Sequence, residues 1–187
     1  MSAIWIRPAT LADAGVIATL NIACWRETYA GLAPADALAE LSVEERVEHW
    51  RGILGGASPQ SVFLAVAEDG SAVGFSHCRS QRTGLAGRFG YGCEISAIYL
   101  LERAQRRGVG RRLMSLMAEG MRAREIRWAS LWVLRDNLPA RRFYEILGGR
   151  RIGAERLWRG VPEIVYGWRD LKRLTRGEAR VLTRDSA

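Results

Sequence analysis

The segment Gln105-Arg106-Arg107-Gly108-Val109-Gly110-Arg111 decides the reading of this chain. Glu94–Leu101, just before it, reads as a buried strand. Just after it, Val109, Leu113, Leu116 and Met117 recur at helical spacing. A glycine-containing turn from strand to helix aims successive backbone N–H groups at one point, and the helix dipole adds positive potential there. Gly108 and Gly110 are expected to remove Cβ atoms that would hold a phosphate away. No Lys-Ser/Thr follows, so this is not a Walker loop. Leu113 stands where a dinucleotide fingerprint needs its third glycine. Arg103, Arg106, Arg107, Arg111 and Arg112 crowd the same turn, which favours a local phosphate site.

Further along, Ala129–Leu134 reads as a second buried strand. Two strands joined through a helix must run parallel, with a right-handed crossover. Asp136-Asn137-Leu138-Pro139 opens a short helix carrying Phe143, Tyr144 and Leu147, and Gly148-Gly149 closes it. Two strands at about 150–157 and 162–168 follow. Toward the N-terminus, a strand at 3–7 precedes two helices opened by Thr10-Leu11-Ala12-Asp13 and Ser42-Val43-Glu44-Glu45, both capping-box patterns. Val16, Ile17, Leu20 and Cys24 define the inner face of the first helix, and Val43, Val47, Trp50 and Leu54 that of the second. Strands at 61–68 and 72–80 flank an Asp69-Gly70 hairpin turn. The order β-α-α-β-β-β-α-β-α-β-β predicts an α/β (α+β) domain over residues 3–169. It has a mixed, mainly antiparallel sheet with helices on both faces. A polar C-terminal tail, 170–187, is expected to be frayed or disordered.

Composition narrows the function. At 187 residues the chain fits one domain. Its apolar residues come in short runs, none near the ~20 a membrane span needs, and the N-terminus lacks a secretory pattern. Cys24, Cys78 and Cys93 form neither a zinc nor a redox spacing. A cytoplasmic protein without a metal or membrane partner is expected. The net charge is +8, and every basic residue is arginine except Lys172. Outside the glycine turn the arginines are scattered, without a basic stripe or interleaved aromatics, so no nucleic-acid partner is expected. His77 and Cys78 are adjacent in a strand and point to opposite faces, which excludes a ready Cys–His dyad. His49 is expected to be solvated.

Taken together, the glycine loop, Glu94-Ile95-Ser96-Ala97-Ile98-Tyr99-Leu100, Leu131-Trp132-Val133-Leu134 with Asn137, and Ala140–Gly148 resemble the GNAT superfamily of N-acetyltransferases. The pattern is closest to small bacterial members such as the polyamine acetyltransferase branch. The resemblance covers about residues 3–168 and implies acetyl-CoA as co-substrate. By it, the amides of Arg106, Arg107, Gly108, Val109, Gly110 and Arg111, preceded by Gln105, hold the pyrophosphate. The pantetheine arm lies along Ile98–Leu100 like an added strand, and the Leu100 N–H stabilises the oxyanion. Asn137 meets the cofactor arm or an ordered water. Tyr144 stands where family members place the acid that protonates the leaving thiolate, with plain packing as the alternative. Glu94 stands where one branch places the general base, with a solvent-facing or substrate-binding carboxylate as the alternative. Two-residue alternation puts Glu94 on one face with Ser96, Ile98 and Leu100.

Trp25-Arg26-Glu27-Thr28-Tyr29-Ala30-Gly31 resembles the family's acceptor-covering loop, with Trp25 and Tyr29 lining the pocket and Glu27 pairing with a cationic amine. Helix-end packing is the alternative for these aromatics. The implied activity is acetylation of a small-molecule primary amine by direct attack through a tetrahedral intermediate. The alternatives are acetylation of protein N-termini or lysines, or a CoA-binding regulator without turnover. Homodimers are frequent in such folds, and no feature of this chain fixes one.

Overall fold

The computed structural model describes residues 3–56, 61–81 and 89–175. The sequence from Gly84 to Gly92 is glycine-rich and reads as a turn before the Glu94–Leu101 strand; part of it lies outside those residues, as does everything after Thr175. The elements are β1 (Ile4–Pro8), α1 (Ala14–Tyr29), α2 (Ala35–Ala39), α3 (Val43–Leu54), β2 (Ser61–Ala67), β3 (Ala72–Ser80), β4 (Cys93–Leu100), α4 (Val109–Ala123), β5 (Ala129–Leu134), α5 (Leu138–Ile146), β6 (Arg150–Trp158), β7 (Val161–Trp168) and α6 (Lys172–Thr175). Seven strands form one sheet in the order β1-β2-β3-β4-β5-β7-β6. Among the described residues only β4 and β5 pair in parallel, as the crossover through α4 requires.

Local chemistry explains most element ends. The Asp13 carboxylate accepts the Thr10 N–H at 2.7 Å, and the Ser42 hydroxyl accepts the Glu45 N–H at 3.2 Å, so orphan donors are met at both expected starts. Gly70, at φ +82°, makes the β2–β3 turn. Differences from the sequence reading lie at element margins. Val16 and Val43 are exposed, because α1 and α3 pack through narrower stripes that include Ile17, Cys24 and Trp50. The short α2 fills a stretch with no periodicity to reveal it. Past Asp170 the chain is not simply a polar tail: Leu171 and Leu174 are buried, docking α6 onto the core beside α4.

Hydrophobic packing divides over the two faces of the sheet. On one face α1 and α3 cover β2–β4 through Ile17, Cys24 and Trp50 against Leu64, Phe75 and Tyr99. On the other, α4 and α5 cover the centre through Leu113, Met117 and Tyr144 against Ile98, Leu131 and Tyr166. Each fully buried Leu or Met contributes roughly 1.5–3 kcal/mol of transfer free energy. The two faces therefore hold separate layers, and a gap in the sheet itself opens where β4 leaves β5.

Candidate active site

That gap starts early. The parallel pairing of β4 with β5 consists of Cys93–Ala129 and Glu94–Ser130, after which the strands diverge. The cause is a bulge in β4: His77 faces Ala97 while Cys78 faces Ile95, so Ser96 is the extra residue. The Ser96 hydroxyl, 2.7 Å from His77 Nδ1, fixes the bulge to β3. Beyond it, the Leu101 N–H donates to Val73 O at 3.0 Å. In this antiparallel register Tyr99 and Leu101 therefore turn their amides to β3, and Ile98 and Leu100 turn theirs to the open edge. Leu100 O accepts from Gln105 Nε2 at 3.1 Å, which ties the edge to the glycine loop.

Arg106 at φ +58° and Gly108 at φ +80° are both left-handed, the backbone alternation from which anion nests are made. A Cβ at Gly108 would meet nothing within 4 Å, so glycine is required there by its dihedral and not by contact with the protein. At Gly110 a Cβ would lie 3.2 Å from Phe143 Cζ. That glycine serves the packing of α4 on α5, which corrects the expectation that both glycines simply clear space for phosphate. The loop's open edge, its left-handed residues and the N-terminus of α4 suit a pyrophosphate-bearing ligand.

Tyr144 lies on the buried face of α5. Asn137 is buried, and its Oδ1 caps that helix by accepting the Ala140 N–H at 3.2 Å, a job the sequence reading did not assign it. At the far end, Trp168 Nε1 donates to Leu147 O at 3.0 Å. Held at both ends, α5 sets the Tyr144 ring 6.1 Å from Tyr166 and 6.0 Å from Trp168. Burial pushes the Tyr144 phenol well above its usual range, and the nearby Tyr29 adds to the shift. It is a neutral O–H donor.

Glu94 is buried, and its Oε1 accepts from Arg79 Nη2 at 3.1 Å. Its expected company is corrected by the bulge. One extra residue at Ser96 inverts the alternation, so Glu94 lies on the face of Ala97 and Tyr99, not that of Ile98 and Leu100. On that face stands an aromatic cage. Trp25 lies edge-on to Tyr29 and to Trp158, at 5.5 Å in both cases, and the Tyr29 and Tyr99 hydroxyls meet at 2.7 Å. Burial pushes the Tyr29 phenol up to about 12 and also raises that of Tyr99 well above its ordinary value. Glu163, held by Arg156 Nε at 2.5 Å, acts electrostatically on both. Glu27 is exposed and not part of the cage: its Oε2 accepts the Glu102 N–H at 2.8 Å, bracing the approach to the glycine loop. The structure thus brings together Trp25 and Tyr29 and gives Glu27 a structural partner.

A sequence model of the Acetyltransferase (GNAT) family matches residues 22–148. The chain belongs to that family. With membership comes the reaction class, acetyl-CoA-dependent N-acetyl transfer. The N-acetyltransferase YuaI of Bacillus subtilis, itself uncharacterised, is 34% identical over 175 residues, spanning 90% of this chain and 95% of YuaI. In three dimensions the chain is similar to the PaiA N-acetyltransferase of Thermoplasma acidophilum in complex with coenzyme A, with a TM-score of 0.71 and 17% identity over 89% of this chain and 99% of that one. It is also similar to YncA of Salmonella typhimurium, whose structure holds acetyl-CoA, with a TM-score of 0.64 and 18% identity over the full length of both. These structural likenesses carry the GNAT fold.

Within this GNAT domain, sequence reasoning missed Arg79, Tyr99, Trp158, Glu163 and Arg46. Tyr99 lay in the quoted strand, but its face could be assigned only once the bulge was seen. Trp158 beside the Arg159-Gly160 turn was a readable signal, since a large aromatic at a hairpin tip usually has a partner. Arg46, four residues before Trp50, sits on the inner face of α3, where a cation is unexpected.

Proposed function

We propose that this enzyme transfers the acetyl group of acetyl-CoA to a primary amine of a small molecule. The observation that carries the reading is the closure of the acceptor side. Arg159, in the β6–β7 turn, pairs with Glu40 beyond α2 at 3.0 Å, and Trp158 packs 6.0 Å from Tyr29. Two distant segments therefore meet over the cage, which suits a compact amine better than a polypeptide laid across an open groove.

The chain's residues divide the work. The nest at Arg106–Arg111 holds the pyrophosphate, and the open edge of β4 at Ile98 and Leu100 holds the pantetheine arm. The amine attacks the thioester carbon, and the Leu100 N–H meets the oxyanion as it forms. Glu94, oriented by Arg79, takes the proton that the amine must lose. Tyr144 gives a proton to the departing thiolate as the C–S bond breaks. The products are an N-acetyl amine and CoA thiol. Free-thiol release against small amines, a lysine peptide and a peptide N-terminus tests this. Turnover of small amines supports it, and turnover confined to peptides overturns it.

A further inference from the structure

Two donor groups beside the acceptor cage, the Arg46 guanidinium and Trp25 Nε1, have no acceptor among the described residues. Arg46, on α3, stacks its guanidinium over the Trp25 ring, 4.6 Å from the centroid. Among the described residues no carboxylate or other hydrogen-bond acceptor engages its guanidinium. Arg79 and Arg156 nearby are matched by Glu94 and Glu163, and Arg159 by Glu40. Trp25 Nε1, on the ring that Arg46 covers, is buried and likewise lacks a hydrogen-bond partner. Arg46 is partly withdrawn from water, and that burial works against its charge; Arg159 adds repulsion, while Tyr99 and the neighbouring Glu45 act in the opposite sense.

A half-desolvated guanidinium is a fixed demand for an anion, and its planar fork matches a carboxylate. From this geometry we infer that Arg46 is a specificity-determining residue, and that the acceptor carries a carboxylate close to its amine, as an α-amino acid does. This rests on the small-molecule reading above and narrows it. The amine end faces Glu94, the carboxylate faces Arg46 and the Trp25 N–H, and the rings between them favour an apolar or aromatic side chain. A polyamine, cationic along its length, would meet Arg46 as a like charge.

The test uses the full chain with saturating acetyl-CoA and reads free-thiol release. The acceptors are phenylalanine, leucine and tryptophan, each beside its carboxamide and its decarboxylated amine, with spermidine as the polyamine. Wild type should prefer the acids. Arg46→Gln should lower kcat/KM for the acids roughly ten- to hundred-fold, the value of a charge-assisted hydrogen bond. It should leave the carboxamides and the KM for acetyl-CoA within about twofold. Arg122→Gln, an exposed control on α4 across the sheet from the cage, should leave the ratio of acid to amide unchanged. Equal or better turnover of amides, decarboxylated amines or spermidine overturns the assignment while the acetyltransferase reading stands. An Arg46→Gln enzyme that keeps the acid preference overturns it too. Thiol release with none of these amines would remove both readings together.

Discussion

Tyr144→Phe deletes one oxygen from a side chain that is 7% exposed. Among the described residues that hydroxyl has no hydrogen-bond partner, so its loss breaks no protein contact, while the ring keeps its packing on Tyr166 and Trp168. Stability should therefore change by less than about 1 kcal/mol, with a slight gain as plausible as a loss. Rate is another matter: losing a positioned acid costs on the order of 10²–10⁴-fold. In a thiol-release assay kcat should fall by that factor, with the KM for acetyl-CoA nearly unmoved. An acid acts in its protonated form, and the raised pKa keeps Tyr144 protonated past the usual phenol value of ~10. Wild-type kcat should accordingly show no alkaline loss from this group up to about pH 10. Acetyl thioesters of more acidic thiols need less protonation, so the defect should shrink with them. Full turnover by a folded Tyr144→Phe enzyme, or a defect independent of the leaving thiol, would refute the assignment.

A Cβ at Gly108 meets no protein atom within 4 Å, so Gly108→Asp should fold, at a cost of roughly 1–2 kcal/mol for the left-handed backbone. Protection by CoA in a melting assay should vanish, because the new carboxylate points where phosphate would sit; retained protection would displace the cradle. Glu94→Gln keeps an acceptor for Arg79 but cannot take a proton. Its kcat/KM should drop about 10²–10⁴-fold near neutrality and recover toward pH 10 as the amine deprotonates unaided, whereas a pH-independent loss would assign Glu94 a structural role. Asp13→Asn disrupts the paired hydrogen bonds to Arg7 at 2.7 and 2.8 Å and should cost about 1–2 kcal/mol, a Tm loss near 2–8 °C. Arg7 and Thr10 hold the Asp13 carboxyl at about 2. Its contribution is therefore full above the unfolded value of ~3.9 and lost as pH falls toward 2, so the two melting curves should converge over that window.

How much of this molecule is local is clear from its parts. The Thr10–Asp13 capping box ahead of α1, the capped starts of α3 and α5, the Asp69-Gly70 turn and the glycine loop are each written within a few residues, because caps, turns and nests are satisfied by near neighbours. From them the sequence by itself determined the order of the main elements, the parallel β4–β5 crossover and the family. The active-site chemistry was less legible. Alternation is a reliable guide along an unbroken strand, and Ser96 breaks it. Nothing near Ser96 announces the bulge, because it depends on pairing with His77 across the sheet. Only the tertiary structure could move Glu94 to the face of Ala97 and Tyr99, give Arg79 and Glu163 their partners and bring Trp158 from the β6–β7 hairpin to Trp25. Glu27 was read from its charge and loop position, and it is the fold that places the Glu102 N–H within its reach. Arg46 illustrates the same division: its sequence position reveals a cation on an inner helical face, while the lack of an ion-pair partner for it among the described residues is a property of everything packed around it.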